Sequence, residues 1–264
     1  MDVLERNREA WNNQSSQGDS RWVQPVTPEE IARAKQGDWG VILTPTIIVP
    51  MSWFGDKDGG IKDKALLGLA SGGGQQVPIF AAAGAKVTSF DNSPVQLSKD
   101  REVAEREGLD IQLEQGDMAD LSRFADESFD IIFHPVSNVF APNILVVWQE
   151  CARVLKPGGR LLAGFMNPDF YLFDHEHLQP DGPIEVTFEL PYSDLEQLCE
   201  DEINERVKNG EAIEFSHSLD DQIGGQIAAG FSIAGFYEDR WSDADTSLNR
   251  YMPTSMATLA IRGA

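Results

Sequence analysis

Cysteine is scarce in this chain: Cys151 and Cys199 are the two in 264 residues. Both fall in stretches that read as helical, and two such thiols build no disulfide framework. A reducing cytoplasm is the expected compartment, with both thiols half-buried and inert. Positive charge is scarce too. There are 21 Lys and Arg against 43 Asp and Glu, a formal net charge of −22. A nucleic-acid binder needs cations to displace counterions from phosphates. DNA, RNA and anionic membrane surfaces are therefore not expected partners. No apolar run approaches the ~18–20 residues of a membrane span. The start, Met1-Asp2-Val3-Leu4-Glu5-Arg6, lacks a basic segment followed by an apolar one, so no secretory signal is expected. No G-x-x-x-x-G-K-[ST] run exists, which excludes a P-loop. G-x-G-x-x-G is not met either, because Val77 stands at the third glycine position.

What is present is ordinary globular material, 41% hydrophobic and 24% charged. The length suits one large domain or one domain with additions. Acid is concentrated late, with 20 acidic and three basic residues between 166 and 246. That charge is read as a solvated surface, or as a field favouring a neutral or cationic substrate. Four of the six tryptophans (Trp11, Trp22, Trp39 and Trp53) lie in residues 1–60. Thr27-Pro28-Glu29-Glu30 predicts a helix start there, with Thr as N-cap, Pro at N1 and Glu at N3.

From residue 64 the chain alternates. Apolar runs at 65–69, 86–90, 111–114, 129–133 and 160–165 predict five strands. Helices are predicted at 75–83, 94–107 and 142–155, the last closing at Lys156-Pro157-Gly158-Gly159. Such alternation means an α/β fold with a parallel sheet covered on both faces. Its ligand is expected at the carboxyl edge of the strands, where their order reverses. Residues 166–219 break the rhythm and read as an acidic insertion, with Ser193 capping a helix. A helix near 220–229 and strands near 231–240 and 255–262 follow, the two strands forming an antiparallel pair at the sheet edge.

Three pieces carry the chemistry. Ala70-Ser71-Gly72-Gly73-Gly74 joins a buried strand to a helix, where free N–H groups favour an anionic group. Asp91 ends the second strand and suits the two hydroxyls of a ribose. Gln115-Gly116-Asp117-Met118 follows the third strand; a carboxylate there can accept from an adenine amino group while a methionine packs on the ring.

Taken in order with Ser128-Phe129-Asp130-Ile131-Ile132 and Arg153-Val154-Leu155-Lys156-Pro157-Gly158-Gly159, these motifs resemble the class I S-adenosylmethionine-dependent methyltransferases. The resemblance covers residues 62–166 strongly, the last 45 loosely and the first 60 hardly at all. It implies a Rossmann-like, doubly wound, seven-stranded sheet, mostly parallel with an antiparallel edge strand. It also implies S-adenosylmethionine as cofactor. Ala70, Ser71, Gly72, Gly73 and Gly74 would line its methionine part, Asp91 with Asn92 the ribose, and Asp117 with Met118 the adenine. His134 would lie under the cofactor near the sulfonium. Two departures stand out: Gly68 replaces the family's usual acid, and Ala70 replaces a glycine. A backbone carbonyl or Asn138 is the expected substitute for the acid. The Asn-Pro-Pro-Tyr signature for base and glutamine amino groups is absent.

The loop His134-Pro135-Val136-Ser137-Asn138 follows the fourth strand, where a methyl acceptor must reach. His134 and Asn138 are the catalytic candidates, with a structural role for His134 as the other reading. Phe170, Tyr171 and Phe173 are read as pocket wall or as packing. Trp39, Trp53 and Phe54 suit a lid or a core equally. His175-Glu176-His177 has poor metal spacing, and His217 is expected in an exposed loop. The chain divides into an extension or lid (1–60), a cofactor-binding core (61–165), the insertion near the acceptor (166–219) and the final helix and edge strands (220–264). The expected activity is methyl transfer to a small-molecule acceptor, with oxygen, nitrogen, carbon and sulfur nucleophiles open. A cofactor-binding protein without turnover is the alternative, and a nicotinamide-dependent oxidoreductase is disfavoured by Val77.

Overall fold

The computed structural model describes residues 2–18, 21–55, 60–175, 177–178, 182–242 and 245–263. Its centre is a seven-stranded sheet of order β3-β2-β1-β4-β5-β7-β6. The strands are β1 (Ala65–Leu69), β2 (Lys86–Asp91), β3 (Ile111–Gln115), β4 (Phe129–His134), β5 (Leu155–Met166), β6 (Phe231–Asp239) and β7 (Ser255–Arg262). The first five run parallel, and β7 pairs antiparallel with both β5 and β6. This is the α/β, mostly parallel architecture expected, with the antiparallel pair at one edge.

The helices are α1 (Val3–Gln17), α2 (Pro28–Ala34), α3 (Gln76–Ala82), α4 (Pro94–Glu107), α5 (Ile144–Val154), α6 (Asp194–Gln197), α7 (Glu200–Asn209) and α8 (Gly225–Ala228). Successive strand residues face opposite layers. Leu66 and Phe133 pack with Trp53, Phe54 and Phe80 on one side of the sheet. Leu67 and Ile132 pack with Phe90, Val147 and Trp148 on the other. Trp53 and Phe54 are therefore core, and Trp39 packs on Phe54 and Phe80 at 5.1 and 5.9 Å.

Local chemistry explains the helix ends. Thr27 and Glu30 close a reciprocal capping box on α2. Ser93 caps α4, which Gly108 stops at φ 65°. Asn143 caps α5 through Leu145 N–H, so that helix begins two residues after Pro142. The Lys-Pro-Gly-Gly segment is not a separator between helix and strand. Strand β5 already pairs at Leu155, and the four residues bulge before pairing resumes at Arg160. The helix expected at 220–229 is a π-helical turn, Asp220–Gly224, leading into α8.

Helix α1 escaped the sequence reading. Its buried side chains are Asn7, Ala10 and Ser15, so it shows no apolar stripe for periodicity to find. It packs along α4 and is fastened by polar bonds. Asn92 Nδ2 donates to Leu4 O (2.8 Å), and Ser93 Oγ donates to Asn12 Oδ1 (2.7 Å). Among the described residues no helix is long and apolar enough to cross a membrane.

Candidate functional site

Strand order reverses between β1 and β4. A cavity of about 360 Å³ opens beside their carboxyl ends, within the usual range for small-molecule sites. It has two halves. One is built from the loops after β1, β2 and β3, and Ala70, Ser71, Gly72, Asp91, Asn92, Gly116, Asp117 and Met118 all line it.

Asp91 is the hub of that half. Its Oδ2 accepts from Gly72 N–H (3.0 Å) and its Oδ1 from Ser93 N–H (2.8 Å). Burial pushes its pKa up to about 6 against the pull of these donors. Behind it Asp100 is fully buried and accepts from Ser89 Oγ (2.6 Å) and Gly74 N–H (2.8 Å); burial raises it to about 7. Gly73 N–H donates to Gln96 O (3.1 Å). The glycine amides expected to meet an anion are thus already engaged, and Gly73 and Gly74 stand behind the cavity wall. Their φ angles of 115° and 75° explain why glycine is needed there.

The two departures from the family pattern have physical counterparts. A Cβ at Gly68 would lie 2.6 Å from both Ser71 Oγ and a Val77 methyl, so an acidic side chain has no room. Ala70 holds φ 49°, the left-handed region that favours glycine. Ser71 Oγ and Gln96 Oε1 are buried polar atoms without a hydrogen-bond partner among the described residues, and both residues line the cavity. A buried polar atom left unpaired is costly, so a polar ligand is the group that completes this wall. With the Asp91 carboxylate and Asp117 alongside, the residues present fit an adenosyl amino acid.

The catalytic candidates lie elsewhere. His134 shares the strand face of Ile132 and points toward α5, fully buried and edge-on to Trp148 at 6.0 Å. Its Nδ1 sits 2.9 Å from Leu69 O, so the neutral ring carries its proton there, and burial lowers its pKa to about 4. Asn138 is also fully buried, and its Nδ2 donates to Gln222 Oε1 (2.9 Å). Neither lines the cavity. His217, expected in an exposed loop, is buried with Nε2 3.2 Å from Asn138 O. Cys199, expected half-buried, is exposed, while Cys151 is buried.

The other half of the cavity comes from distant segments. Helix α1 contributes Leu4, Asn7 and Trp11, and residues 42–45 form a strap. The strap is pinned by the Asp239 carboxylate, which accepts from Thr44 Oγ1 (2.7 Å), Thr46 N–H (2.8 Å) and the Thr46 hydroxyl. A Cβ at Gly164 would run into the Leu43 carbonyl, so glycine lets the strap lie on β5. The far wall holds Phe170, Tyr171, His175, Arg206, Glu211, Glu214 and Trp241. Phe173 packs nearby without lining the cavity. Glu176 lies outside the described residues. Asn7 clips the halves of this wall together, with Ile213 N–H donating to its Oδ1 (2.7 Å) and its Nδ2 donating to Ile213 O (3.0 Å). Sequence reading missed α1, Gln96, the strap and the 206–214 wall. The buried polar residues of α1 and the acidic cluster were the faint signals available.

Comparison with known proteins agrees with this geometry. Residues 67–163 match a family model described as a methyltransferase domain. The uncharacterized methyltransferase YbaJ of Bacillus subtilis is 46% identical over 260 residues, 98% of each chain. A sterol 24-C-methyltransferase, ERG6A of Gibberella zeae, is 38% identical over 104 residues, 38% of this chain and 27% of its own. Among solved structures, a putative S-adenosylmethionine-dependent methyltransferase from Listeria monocytogenes superposes with a TM-score of 0.57 at 16% identity. That superposition covers 77% of this chain and 93% of that one. Near-full-length identity to a methyltransferase, on this sheet and around this cavity, places the chain in the class I S-adenosylmethionine-dependent methyltransferases.

Proposed function

We propose that the chain transfers a methyl group in line from S-adenosylmethionine to a small neutral or cationic molecule held in the acceptor half of the cavity. The observation that carries this is the single cavity spanning both halves, with a polar cofactor wall at one end and an aromatic one at the other. The cofactor, when bound, supplies a methyl on a sulfonium and departs as a neutral thioether. The protein then has little charge to stabilise, and its work is to bind, orient and exclude water, effects worth up to ~7–11 kcal/mol in favourable systems.

Asp91 would accept from the ribose hydroxyls, with Asn92 beside it fixing α1, while Asp117 and Met118 would hold the adenine. Ser71 and Gln96 are the partners for the amino-acid end. Gln96 Oε1, an unpaired acceptor, suits the ammonium that the missing acid at Gly68 would otherwise meet. His134 supports the floor through Leu69 and is not assigned a proton-transfer role, since it does not line the cavity. Lining residues between 166 and 214 would serve as the acceptor wall, and the N-terminal extension would contribute to wall and core through Leu4, Asn7, Trp11, Trp53 and Phe54.

Calorimetric titration of cofactor-free protein with S-adenosylmethionine tests the reading. Micromolar binding is expected, and Asp91→Ala should weaken it at least about tenfold, a hydrogen-bonded charge being worth ~1.5–3 kcal/mol. Unchanged binding in a folded Asp91→Ala protein would overturn the site. A cofactor-binding protein without turnover is the second reading, favoured by the withdrawal of His134 and Asn138 from the cavity. Its mark would be tight binding with no methylated product across an acceptor panel.

A further inference from the structure

At the far end of the cavity Phe170, Tyr171 and Trp241 present their rings, and Glu214 lies among them. Tyr171 donates its hydroxyl to Glu214 Oε2 at 2.6 Å. Glu214 Oε1 carries no hydrogen bond among the described residues. His175 and Arg206 are the basic groups of this wall that act on Glu214, and two other carboxylates already hold Arg206: Asp194 at 3.9 Å and Glu211 at 3.5 Å. Asp194 in turn accepts from Tyr192 Oη (2.7 Å) and from Glu214 N–H (2.8 Å). Glu214 therefore has no ion pair of its own within 4 Å among the described residues, on a wall it shares with aromatic rings. Ionising a carboxylate in such a place is expensive unless a cation meets it, and aromatic faces attract cations as well.

We infer that this end of the cavity is an amine-recognition subsite, in which the Glu214 carboxylate accepts hydrogen bonds from the ammonium or amino group of the methyl acceptor and the rings of Phe170, Tyr171 and Trp241 enclose it. The inference rests on the division of the cavity proposed above and names the acceptor class. An anionic acceptor is disfavoured, because it would meet Glu211 and Glu214 with Arg206 already engaged. Desolvation raises the Glu214 pKa against the pull of His175 and Arg206, so burial outweighs the basic groups already near it.

The test uses three probes that share a ring and differ in head-group charge: 2-phenylethylamine, 2-phenylethanol and phenylacetate. Each is titrated calorimetrically into the full chain at neutral pH. The amine should bind at least about tenfold tighter than the alcohol, as a charge-assisted bond requires, and phenylacetate should be weakest. Glu214→Gln should bring amine and alcohol within about twofold of each other. Equal affinities, a preference for the alcohol or carboxylate, no binding of the amine, or a preference kept in Glu214→Gln would each overturn the inference. The probe series on the unmodified chain decides the matter even where the variant does not fold. S-adenosylmethionine is titrated separately into the same preparation. Cofactor binding without amine preference overturns the subsite alone, whereas loss of cofactor binding overturns the functional reading.

Discussion

The two walls of the cavity are built differently. The wall proposed for the cofactor comes from residues 70–118, the loops that end β1, β2 and β3. Neighbouring parallel strands fix those loops, so each position follows from the next strand over. The wall proposed for the acceptor gathers α1, the strap at 42–45, the loop after β4 and lining residues between 166 and 241. Hydrogen bonds between segments roughly two hundred positions apart hold it, such as Asn7 with Ile213 and Thr44 with Asp239. One wall is a property of the fold, and the other is added to it.

The largest effect should come from cutting the clip in the added wall. Asn7→Ala leaves the buried Ile213 N–H and O without partners, at a cost of about 1–3 kcal/mol. Urea denaturation should read that loss, while calorimetry shows S-adenosylmethionine affinity changed by less than about threefold. A large fall in cofactor affinity instead would break the distinction between the walls.

Next comes pH, which should act on the cofactor wall. Asp91 and Asp100 have raised pKa values, about 6 and about 7. Carboxylates raised in this way stabilise the folded chain at low pH, and that contribution is lost as pH rises through 6 and 7. Thermal melts of the free protein should therefore slope downward across that window. In the proposed complex ribose hydroxyls would donate to ionised Asp91, so cofactor affinity should rise about tenfold between pH 5 and 7. The amine probe's affinity does not depend on these two groups, which sharpens the contrast further. The smallest effect is expected from Ala70→Gly. It relieves the left-handed backbone at a cost in unfolded-state entropy, for a net gain of about 0.5–1 kcal/mol in a melt.

Legibility in the sequence followed the same division. Continuous apolar runs such as Ala65–Leu69 announced buried parallel strands, and the Asp91 and Asp117 positions followed from strand ends. Two things obscured the rest. Helix α1 buries Asn7 and Ser15 rather than apolar residues, so its inner face reads as polar. His134 was placed at the right strand end with two readings open, catalytic or structural, because strand position alone does not say that alternation along β4 sends it with Ile132 toward Trp148. A one-residue difference in facing decides between cavity and core. The engagement of the glycine amides by Asp91, Gln96 and Asp100 depends on contacts that no local motif records.

The placement of the tryptophans has an optical consequence. Trp22 stands beside the glycine turn, Trp11 on α1, and Trp241 on the aromatic far wall, all on the cavity surface. Trp53 and Trp148 are sealed in the core. The molecule thus carries its own emission reporters at both ends of the cavity, above a constant background. A protein carrying Trp11→Phe and Trp241→Phe would report filling of the cofactor end through Trp22, and a Trp22→Phe protein would report the other half through Trp11 and Trp241. Occupancy of the two halves becomes separable in one cuvette, without a label and without knowing the natural acceptor.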